Sequence, residues 1–349
     1  MDTKIYNIDN QKPDKNIIEE AASIIRDGGL VAFPTETVYG LGADALNKDA
    51  SAKIYAAKGR PSDNPLIVHI AEFADFLRIA KEIPREARLL ADAFWPGPLT
   101  LIVHKNEHVP YETTGGMDTV AVRMPNHPAA LALIRESGCL IAAPSANTSG
   151  RPSPTLAEHV AEDLGGAIPV ILDGGEVGIG IESTILDLTE PVPMILRPGY
   201  ITVEMLEDVI GTVKVDPGII TADSSIKPKA PGMKYRHYAP KAELIIVDGE
   251  RAAVINKINE LTDEMHAKGK KVGIIGTDET VAAYRGDRIL SMGARDDEDA
   301  IARHLYRILR EFDEEKADLI CSESFSTPRI GHAIMNRLLK AAGHQILVV

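Results

Sequence analysis

Short polar signatures follow several predicted strands of this 349-residue chain, and their residue types are suited to holding an anion. The segment KGRPSDNPLIVH is the densest, because Lys58 and Arg60 end a predicted helix and His69 ends the apolar run that follows. Since ligands of α/β sheets bind at strand ends, these signatures predict one small-ligand pocket. The other strand-end residues of this kind are Thr37, Asn64, Thr119, Arg123, Ser145, Asn147, Arg151, Ser153, Ser183 and Arg197.

The cations of this set indicate what the pocket would bind. None of them has a carboxylate at helical pairing distance on the same predicted helix, so we expect them to meet an anion from outside the chain. An arginine guanidinium offers a planar fork that matches phosphate or carboxylate. Small hydroxyls and an asparagine would hydrogen-bond the same oxygens or an adenine edge. Composition and spacing reach no further than this anion pocket.

Each residue also has a purely structural interpretation when it is taken alone. Lys58 and Arg60 would cap a helix C-terminus, and Arg123 would be an exposed edge residue. His69 would be a packed histidine with satisfied ring nitrogens. The pocket is favoured because many independent coincidences would otherwise have to occur together.

The elements that must position these residues alternate between strand and helix signals over residues 1–210. Strands are predicted at GLVAFPT, LIVHIA, LTLIVHK, TVAVRMP, LIAAPSA, VILDG, STILDL and MILRPG, so the strand signals end near residue 199. Helices are predicted at DKNIIEEAASIIRDGG, DASAKIYAAKG, PREARLLADAF, HPAALALIRES, SPTLAEHVAEDLG and TVEMLEDVIG. This interleaving predicts a three-layer α/β domain with a large, twisted mixed sheet.

A second domain is predicted after a break in the pattern. Residues 211–241 are rich in Pro, Gly and Ser with little periodicity, and they indicate a linker. Residues 242–349 return to alternating strand and helix signals, which predict a smaller, parallel, Rossmann-like α/β domain. That domain lacks a dinucleotide glycine fingerprint, and the chain has no P-loop, nucleophile elbow or zinc-protease motif.

The charge is uneven along the chain. Residues 1–210 hold 17 Lys and Arg against 30 Asp and Glu, whereas residues 211–349 hold 21 of each. An acidic surface repels a phosphate backbone, so we expect no stable nucleic-acid binding and a local anion pocket instead.

Other features bear on redox state and location. The two cysteines, Cys139 and Cys321, are predicted to be buried in strands, without a disulfide or a thiolate metal site. The chain has no apolar run of about 18 residues, so no membrane span is expected. Its N-terminus is polar and lacks the apolar middle of a signal peptide, which predicts a cytoplasmic protein.

An ordered series of motifs resembles a known family. FPTETVYGLG, KGRP with NPL, VAVRMP, PSAN, and ESTI with RPG follow one another within about residues 10–210, and PGMKYRHYAP lies in the linker. These resemble the threonylcarbamoyl-AMP synthase family in its long two-domain form, with a YrdC-like catalytic domain over residues 1–210. The resemblance implies a nucleotidyltransferase that makes L-threonylcarbamoyladenylate and pyrophosphate from L-threonine, bicarbonate and ATP. Its product would serve N6-threonylcarbamoylation of adenosine 37 in tRNAs that read ANN codons.

The resemblance also implies roles for individual residues. Lys58 and Arg60 are expected to be catalytic, because they would neutralise the triphosphate or a carbamate intermediate. The residues expected to contact L-threonine are Thr37, His69, Arg123, Ala143 and Ser183. Those expected to contact ATP are Arg60, Asn64, Thr119, Ser145, Ser153, Arg197 and Tyr238. Asn147 and Arg151 belong to the same motifs and are expected to line the site.

The implied chemistry needs no covalent nucleophile, since positioning and charge neutralisation suffice for phosphoryl-type transfer. Mg²⁺ is expected to enter with ATP, held mostly by phosphates and water, and no protein metal site is predicted. The expected partners are the three substrates and, indirectly, a downstream threonylcarbamoyl transferase complex and tRNA.

Two other functions were weighed against this one. A carbamoyltransferase of the hydrogenase-maturation type would carry an acylphosphatase module and CxxC zinc motifs, and this chain has neither. An RNA-binding protein using the same cleft is disfavoured by the acidic charge of the first 210 residues.

The predicted linker has a composition unlike a passive tether. Residues 211–241 carry six Lys and Arg against two Asp, and KYRHYAP concentrates two tyrosines, a histidine and two cations. We therefore predict that the linker acts as a lid over the site and that Tyr238 contacts the nucleotide.

Overall fold

A computed structural model describes residues 2–219, 237–325 and 328–349, and these fall into two compact units. Of the described residues, the first unit holds 2–149, 153–178 and 182–219, and the second holds 150–152, 179–181 and 237–349. Most of the predicted lid, residues 220–236, lies outside the described residues. The lid therefore stays a prediction.

Within the described residues, the first unit contains eleven strands and eight helices. The strands are β1 (Lys4–Asn7), β2 (Val31–Phe33), β3 (Gly40–Asp44), β4 (Ile67–His69), β5 (Leu99–His104), β6 (Thr119–Arg123), β7 (Ile141–Ala142), β8 (Val170–Asp173), β9 (Thr184–Asp187), β10 (Met194–Arg197) and β11 (Lys214–Val215). The helices are α1 (Lys15–Arg26), α2 (Lys48–Lys58), α3 (Phe73–Phe76), α4 (Arg85–Phe94), α5 (Tyr111–Thr114), α6 (Pro128–Ser137), α7 (Ala157–Leu164) and α8 (Val203–Ile210).

All strands and helices predicted for the first 210 residues are present, and the sheet is mixed as expected. The strands form one sheet in the order β1-β8-β2-β3-β7-β4-β6-β5-β9-β10-β11. The expectation that strands end near residue 199 is wrong, because β11 pairs in parallel with β10. A two-residue strand is too short to leave a periodic signal in the sequence.

Apolar residues on both faces of the strands confirm the three-layer prediction. Phe33 belongs to a buried cluster with Ile25 of α1 and Leu133 of α6. The adjacent Ala32 belongs to a different buried cluster that includes Ile54 of α2. Successive residues of a strand point to opposite faces, so the sheet is covered by helices on both sides.

The second unit has the predicted alternation of strands and helices. Within the described residues its elements are β12 (Glu243–Asp248), α9 (Arg251–His266), β13 (Val272–Gly276), β14 (Arg288–Ser291), α10 (Glu298–Glu314), β15 (Leu319–Glu323), α11 (Gly331–Ala341) and β16 (Ile346–Val348), with a short 3₁₀ helix at Val281–Ala283. The five strands are all parallel, in the order β14-β13-β15-β12-β16. This confirms a small Rossmann-like sheet.

The two cysteines differ in their surroundings. Cys321 lies in β15 and is buried, as predicted. The prediction for Cys139 is wrong, because this residue is partly exposed between α6 and β7. Gly138 ends α6 with a φ of 66°, so the chain turns there before β7 begins. Separately, no helix of the described chain is long and apolar enough to cross a membrane.

The end of α2 determines where two of the predicted site residues point. Gly59 takes a φ of 60°, its N–H bonds the Ala56 carbonyl at 3.3 Å, and the Arg60 N–H bonds the Tyr55 carbonyl at 2.9 Å. These two bonds form a Schellman motif, which favours glycine at the left-handed position. Lys58 is thereby kept in the helix and buried, while Arg60 leaves it in the following turn.

Substitutions at Gly59 should test this turn. A Cβ at Gly59 would meet no atom within 4 Å, so only the left-handed backbone opposes a side chain. Gly59→Ala should lower the free energy of unfolding by about 1 kcal/mol, and Gly59→Asn by less, because asparagine tolerates this conformation better. Urea unfolding of the two variants and the wild type measures the difference, and equal stability of all three would contradict the assignment.

Candidate active site

Two groups of predicted site residues lie at opposite ends of the neighbouring strands β4 and β6. His69 and Arg123 are partners in the parallel register, at the carboxyl ends of both strands. Thr119 begins β6, four residues before Arg123, which separates the two positions by roughly 13 Å along the strand. We call the region around Arg123 the carboxyl end of the site and the region around Thr119 the amino end.

Arg123 is the central cation of the carboxyl end. Arg123 is 4% exposed, and β6 lies between β4 and β5, so Arg123 is not an exposed residue on an edge strand. Its Nη1 donates to Thr37 Oγ1 at 2.9 Å, and its Nε donates to the Gly97 carbonyl at 3.3 Å. Its Nη2 lies 2.8 Å from Oε2 of Glu36. The guanidinium is therefore fixed from three sides.

The expectation that the site cations lack carboxylate partners is wrong for two of them. Arg123 pairs with Glu36, and Arg151 lies 3.5 Å from Asp313. The second pair could not be predicted from spacing because its members are 162 positions apart. Helical spacing detects only local partners.

His69 is a buried neutral histidine beside Arg123. It is 4% exposed, its Nδ1 lies 3.1 Å from the Ile67 carbonyl, and its ring meets Phe33 edge to face at 6.1 Å. Burial, and then the charge of Arg123, lower the pKa of His69 to about 3. The ring therefore offers the carboxyl end a neutral hydrogen-bonding group and no charge.

Ser183 and Arg197 complete the carboxyl end on the side of β9 and β10. The Ser183 hydroxyl lies 2.8 Å from Thr100 Oγ1 and accepts from Arg197 Nη2 at 3.1 Å. Arg197 Nε also donates to the Ser183 carbonyl at 3.0 Å. Thr100 was not among the predicted residues, because a threonine inside an apolar strand carries no distinctive signal. The structure therefore places Arg197, which the resemblance assigns to ATP, against Ser183, which it assigns to L-threonine.

The amino end contains Arg60, Asn64 and Thr119. Arg60 donates from Nε to the Asn64 carbonyl at 3.2 Å and from Nη2 to the Pro65 carbonyl at 3.1 Å. Asn64 is 2% exposed, and its Oδ1 has no hydrogen-bond partner in the described part of the chain. A buried polar atom without a partner is costly, so a ligand is a natural partner for it.

Lys58 holds the PSAN loop, residues 144–147. Its side chain is 1% exposed, and its Nζ donates to the Ser145 carbonyl at 2.5 Å and to the Asn147 carbonyl. The Ser145 hydroxyl in turn donates to Asn147 Oδ1 at 2.5 Å. Lys58 is therefore more than a helix cap, since it fixes two other predicted site residues. Its contact with a phosphate stays a prediction.

The remaining predicted residues are placed as follows. Ala143 lies beside β4, where its N–H bonds the Ile67 carbonyl at 2.8 Å, midway between the two ends. Ser153 is 1% exposed and donates to Glu182 Oε1 at 2.5 Å. Glu36 belongs to the polar strand-end signature FPTETVYGLG, although no ligand was assigned to it, and Glu182 lies in the ESTI motif but was not predicted as a site residue.

Arg151 and Tyr238 belong to the second unit and are described with it. Lys241 donates its N–H to Asp313, the carboxylate that faces Arg151, at 2.6 Å. Tyr238 is 5% exposed, has a φ of 64° and packs on Tyr306 with ring centroids 5.1 Å apart. Contact of these two residues with a nucleotide stays a prediction.

The described residues include no group of three or more His, Cys, Asp or Glu side chains that could hold a metal ion.

Comparisons with known proteins agree over almost the whole chain. A family model described as telomere recombination matches residues 23–199, and one described as threonylcarbamoyl-AMP synthase, C-terminal domain, matches residues 201–343. The chain is 54% identical to a threonylcarbamoyl-AMP synthase of Pyrococcus abyssi, over 95% of this chain and 96% of that one. It is 52% identical to the Bacillus subtilis enzyme of the same name, over 95% and 94%.

Solved structures give the same result. The crystal structure of P. abyssi Sua5 complexed with L-threonine matches with a TM-score of 0.94 and 51% identity, covering 99% of this chain and all of that one. E. coli YciO matches with a TM-score of 0.54 at 24% identity, covering 58% of this chain, and supports the fold alone.

The depressed pKa of His69 predicts how stability depends on pH. An unfolded histidine has a pKa near 6.5, so between about pH 6.5 and 3 the unfolded state binds a proton that the folded state does not. The free energy of unfolding should therefore fall as the pH falls, with a slope from this residue approaching about 1.4 kcal/mol per pH unit. His69→Gln should remove that slope. Urea unfolding at pH 7.0 and 5.5 tests it, and an unchanged pH dependence in the variant would count against a neutral His69.

Proposed function

The chain belongs to the threonylcarbamoyl-AMP synthase family, and we propose that it converts L-threonine, bicarbonate and ATP into L-threonylcarbamoyladenylate with release of pyrophosphate. The observation that carries this is a pair of polar ends on β4 and β6, in which Arg123, Glu36 and neutral His69 lie at the carboxyl end and Arg60 lies at the amino end. The product serves N6-threonylcarbamoylation of adenosine 37 in tRNAs that read ANN codons. A downstream threonylcarbamoyl transferase complex would consume it.

The carboxyl end is the proposed threonine site. Arg123, held by three groups, would bind the α-carboxylate. Thr37, His69 and Ser183 surround the same region with neutral hydrogen-bonding groups suited to a side-chain hydroxyl. The structure of the P. abyssi relative with L-threonine supports this proposal at the level of the amino acid.

The amino end is the proposed ATP site. Arg60 would neutralise phosphate charge, and the unpartnered Asn64 oxygen would accept from a ribose hydroxyl or the adenine amine. Thr119, Ser145 and Ser153 would supply further contacts from neighbouring strands and loops, and Arg197 would contact the nucleotide from the carboxyl end. Mg²⁺ would enter with ATP, and phosphate oxygens and water would supply most of its ligands.

The chemistry follows from joining the two ends. Bicarbonate would take up a proton from the threonine ammonium group and lose water to give CO₂, and the freed amine would add CO₂ and release a second proton to give a carbamate. A carbamate oxygen would then attack the α-phosphorus of ATP as pyrophosphate leaves. Between the ends, β4 and β6 present Ile67 and Ala121 on the same face, and both are buried in one apolar cluster. An apolar middle would keep water away from a carbamate and an adenylate that it would otherwise hydrolyse.

A direct test is to incubate the protein with ATP, bicarbonate and labelled threonine. Formation of pyrophosphate and a labelled adenylate in equal amounts is the expected result. Pyrophosphate without a threonine-containing adenylate would contradict the proposed reaction.

Arg60→Ala should abolish most of the activity. Removal of one charge-assisted contact to a developing negative charge commonly costs about 100-fold or more in rate. Arg60→Lys should restore little, because the planar fork that also holds the Asn64 and Pro65 carbonyls is lost. Pyrophosphate release measures the effect.

The matched control is Arg88→Ala, which removes an exposed arginine of α4 that lies 3.2 Å from Asp92. It should retain wild-type turnover. Thermal unfolding should show that all three variants are folded, and near wild-type turnover in folded Arg60→Ala would overturn the assignment.

Threonine should be selected through its hydroxyl. Valine has nearly the same shape and leaves the hydroxyl partners unpaired, so we expect its kcat/KM to be lower by about 1,000-fold or more. Serine keeps the hydroxyl and loses one methyl group, which predicts a loss of about 10- to 200-fold. Adenylate formation with each amino acid measures the order. Equal use of valine and threonine would show that the hydroxyl is not recognised.

A further inference from the structure

Glu36 is a buried carboxylate at the carboxyl end of the site that no role so far accounts for. Its Oε2 lies 2.8 Å from Nη2 of Arg123, but the two atoms are not aligned for a hydrogen bond. Both carboxylate oxygens are buried, and neither accepts a hydrogen bond from a described residue. A carboxylate can accept about four hydrogen bonds, so most of this capacity is unused.

At the carboxyl end, the charges of the neighbouring residues Arg123 and Glu36 balance each other. Arg123 contributes one positive charge and Glu36 one negative charge, and His69 is neutral because its pKa is held near 3. The two charges lie on different side chains, and their sum is zero. An amino acid at neutral pH has the same pattern, with a carboxylate and an ammonium on one carbon atom.

Arg123 has donors left for a ligand even though it is fixed. Thr37 and the Gly97 carbonyl each take one of its five N–H groups, and the Glu36 carboxylate lies beside Nη2. A ligand carboxylate would meet the remaining guanidinium donors, and it would place its neighbouring ammonium group against an anion. Glu36 is the carboxylate that this arrangement supplies.

We propose that Glu36 binds the α-ammonium group of threonine, so that Glu36 and Arg123 together recognise the zwitterionic head of the amino acid. The proposal rests on the proposed function, since it names a further residue for the threonine site. Glu36 is thus a binding residue that touches the substrate, and not only a side chain that orients Arg123.

Removing the ammonium group from the ligand and removing the charge from Glu36 should each weaken binding, and the two losses of affinity should not add because both remove the same contact. The probes are L-threonine and 2,3-dihydroxybutanoate of matching configuration, which has a hydroxyl in place of the ammonium. Wild-type protein should bind the analogue about 10- to 100-fold more weakly than threonine, because a charge-assisted hydrogen bond is lost. Glu36→Gln should bind threonine about 10- to 100-fold more weakly, and should bind the two ligands nearly equally. Calorimetric titration measures all four affinities.

A role limited to orienting Arg123 gives a different result. Arg123 would bind both carboxylates less well in Glu36→Gln, so threonine and the analogue would weaken by the same factor. That outcome, or unchanged affinity for both, overturns the proposal. Glu36→Asp keeps the charge and should keep a preference for threonine, which provides a second variant if Glu36→Gln does not fold.

The charge control is Asp92→Asn, which removes one negative charge from an exposed pair on α4. It should discriminate between the two ligands as the wild type does.

The wild-type reaction with ATP and bicarbonate is run alongside. If wild-type protein neither binds threonine nor forms the adenylate, the proposed function fails; if it does both while Glu36→Gln behaves like the wild type, only the role of Glu36 fails.

Discussion

A charged guanidinium buried in the middle of the large sheet is the constraint on which the site depends. Arg123 is 4% exposed in β6, where neighbouring strands flank it on both sides. A buried charge without partners costs several kcal/mol, and breaking a buried pair costs about 3–5 kcal/mol. The loop after β2 must therefore bring Glu36 and Thr37 to this strand end. The same charge, added to burial, keeps His69 neutral.

A second buried cation, Lys58 at the end of α2, imposes a similar constraint on the PSAN loop. Lys58 is almost fully enclosed, so its ammonium group must find acceptors, and it finds the carbonyls of the PSAN loop. The contacts that satisfy the buried ammonium group therefore also fix the loop that carries Ser145 and Asn147. Stability and function thus place the same demand on this residue.

The sequence predicted most of the fold and the composition of the site, and the reasons for its errors are physical. Most strands and all of the longer helices carry a recognisable signal and were found. The strand β3 was missed because two of its five residues are glycines, which are rare in strands, and the short elements β1, α3, α5 and β11 were missed as well. The motifs identified Thr37, Arg123 and Ser183 by type, but not the pairing of Arg123 with Glu36, since the two lie 87 positions apart. Burial of Lys58 was also invisible, because an ammonium on a helix end is usually exposed.

The acidic charge of the first 210 residues is compatible with binding ATP because screening limits its reach. At physiological ionic strength the Debye length is about 8 Å, so exposed acids further from the pocket than this contribute little to the potential inside it. Phosphates at the amino end would respond mainly to the nearby charge of Arg60. A tRNA backbone extends over many Debye lengths, so it would meet a domain in which 30 acidic residues outnumber 17 basic ones. The charge distribution therefore favours an enzyme that makes a small diffusible adenylate and leaves the tRNA to another protein.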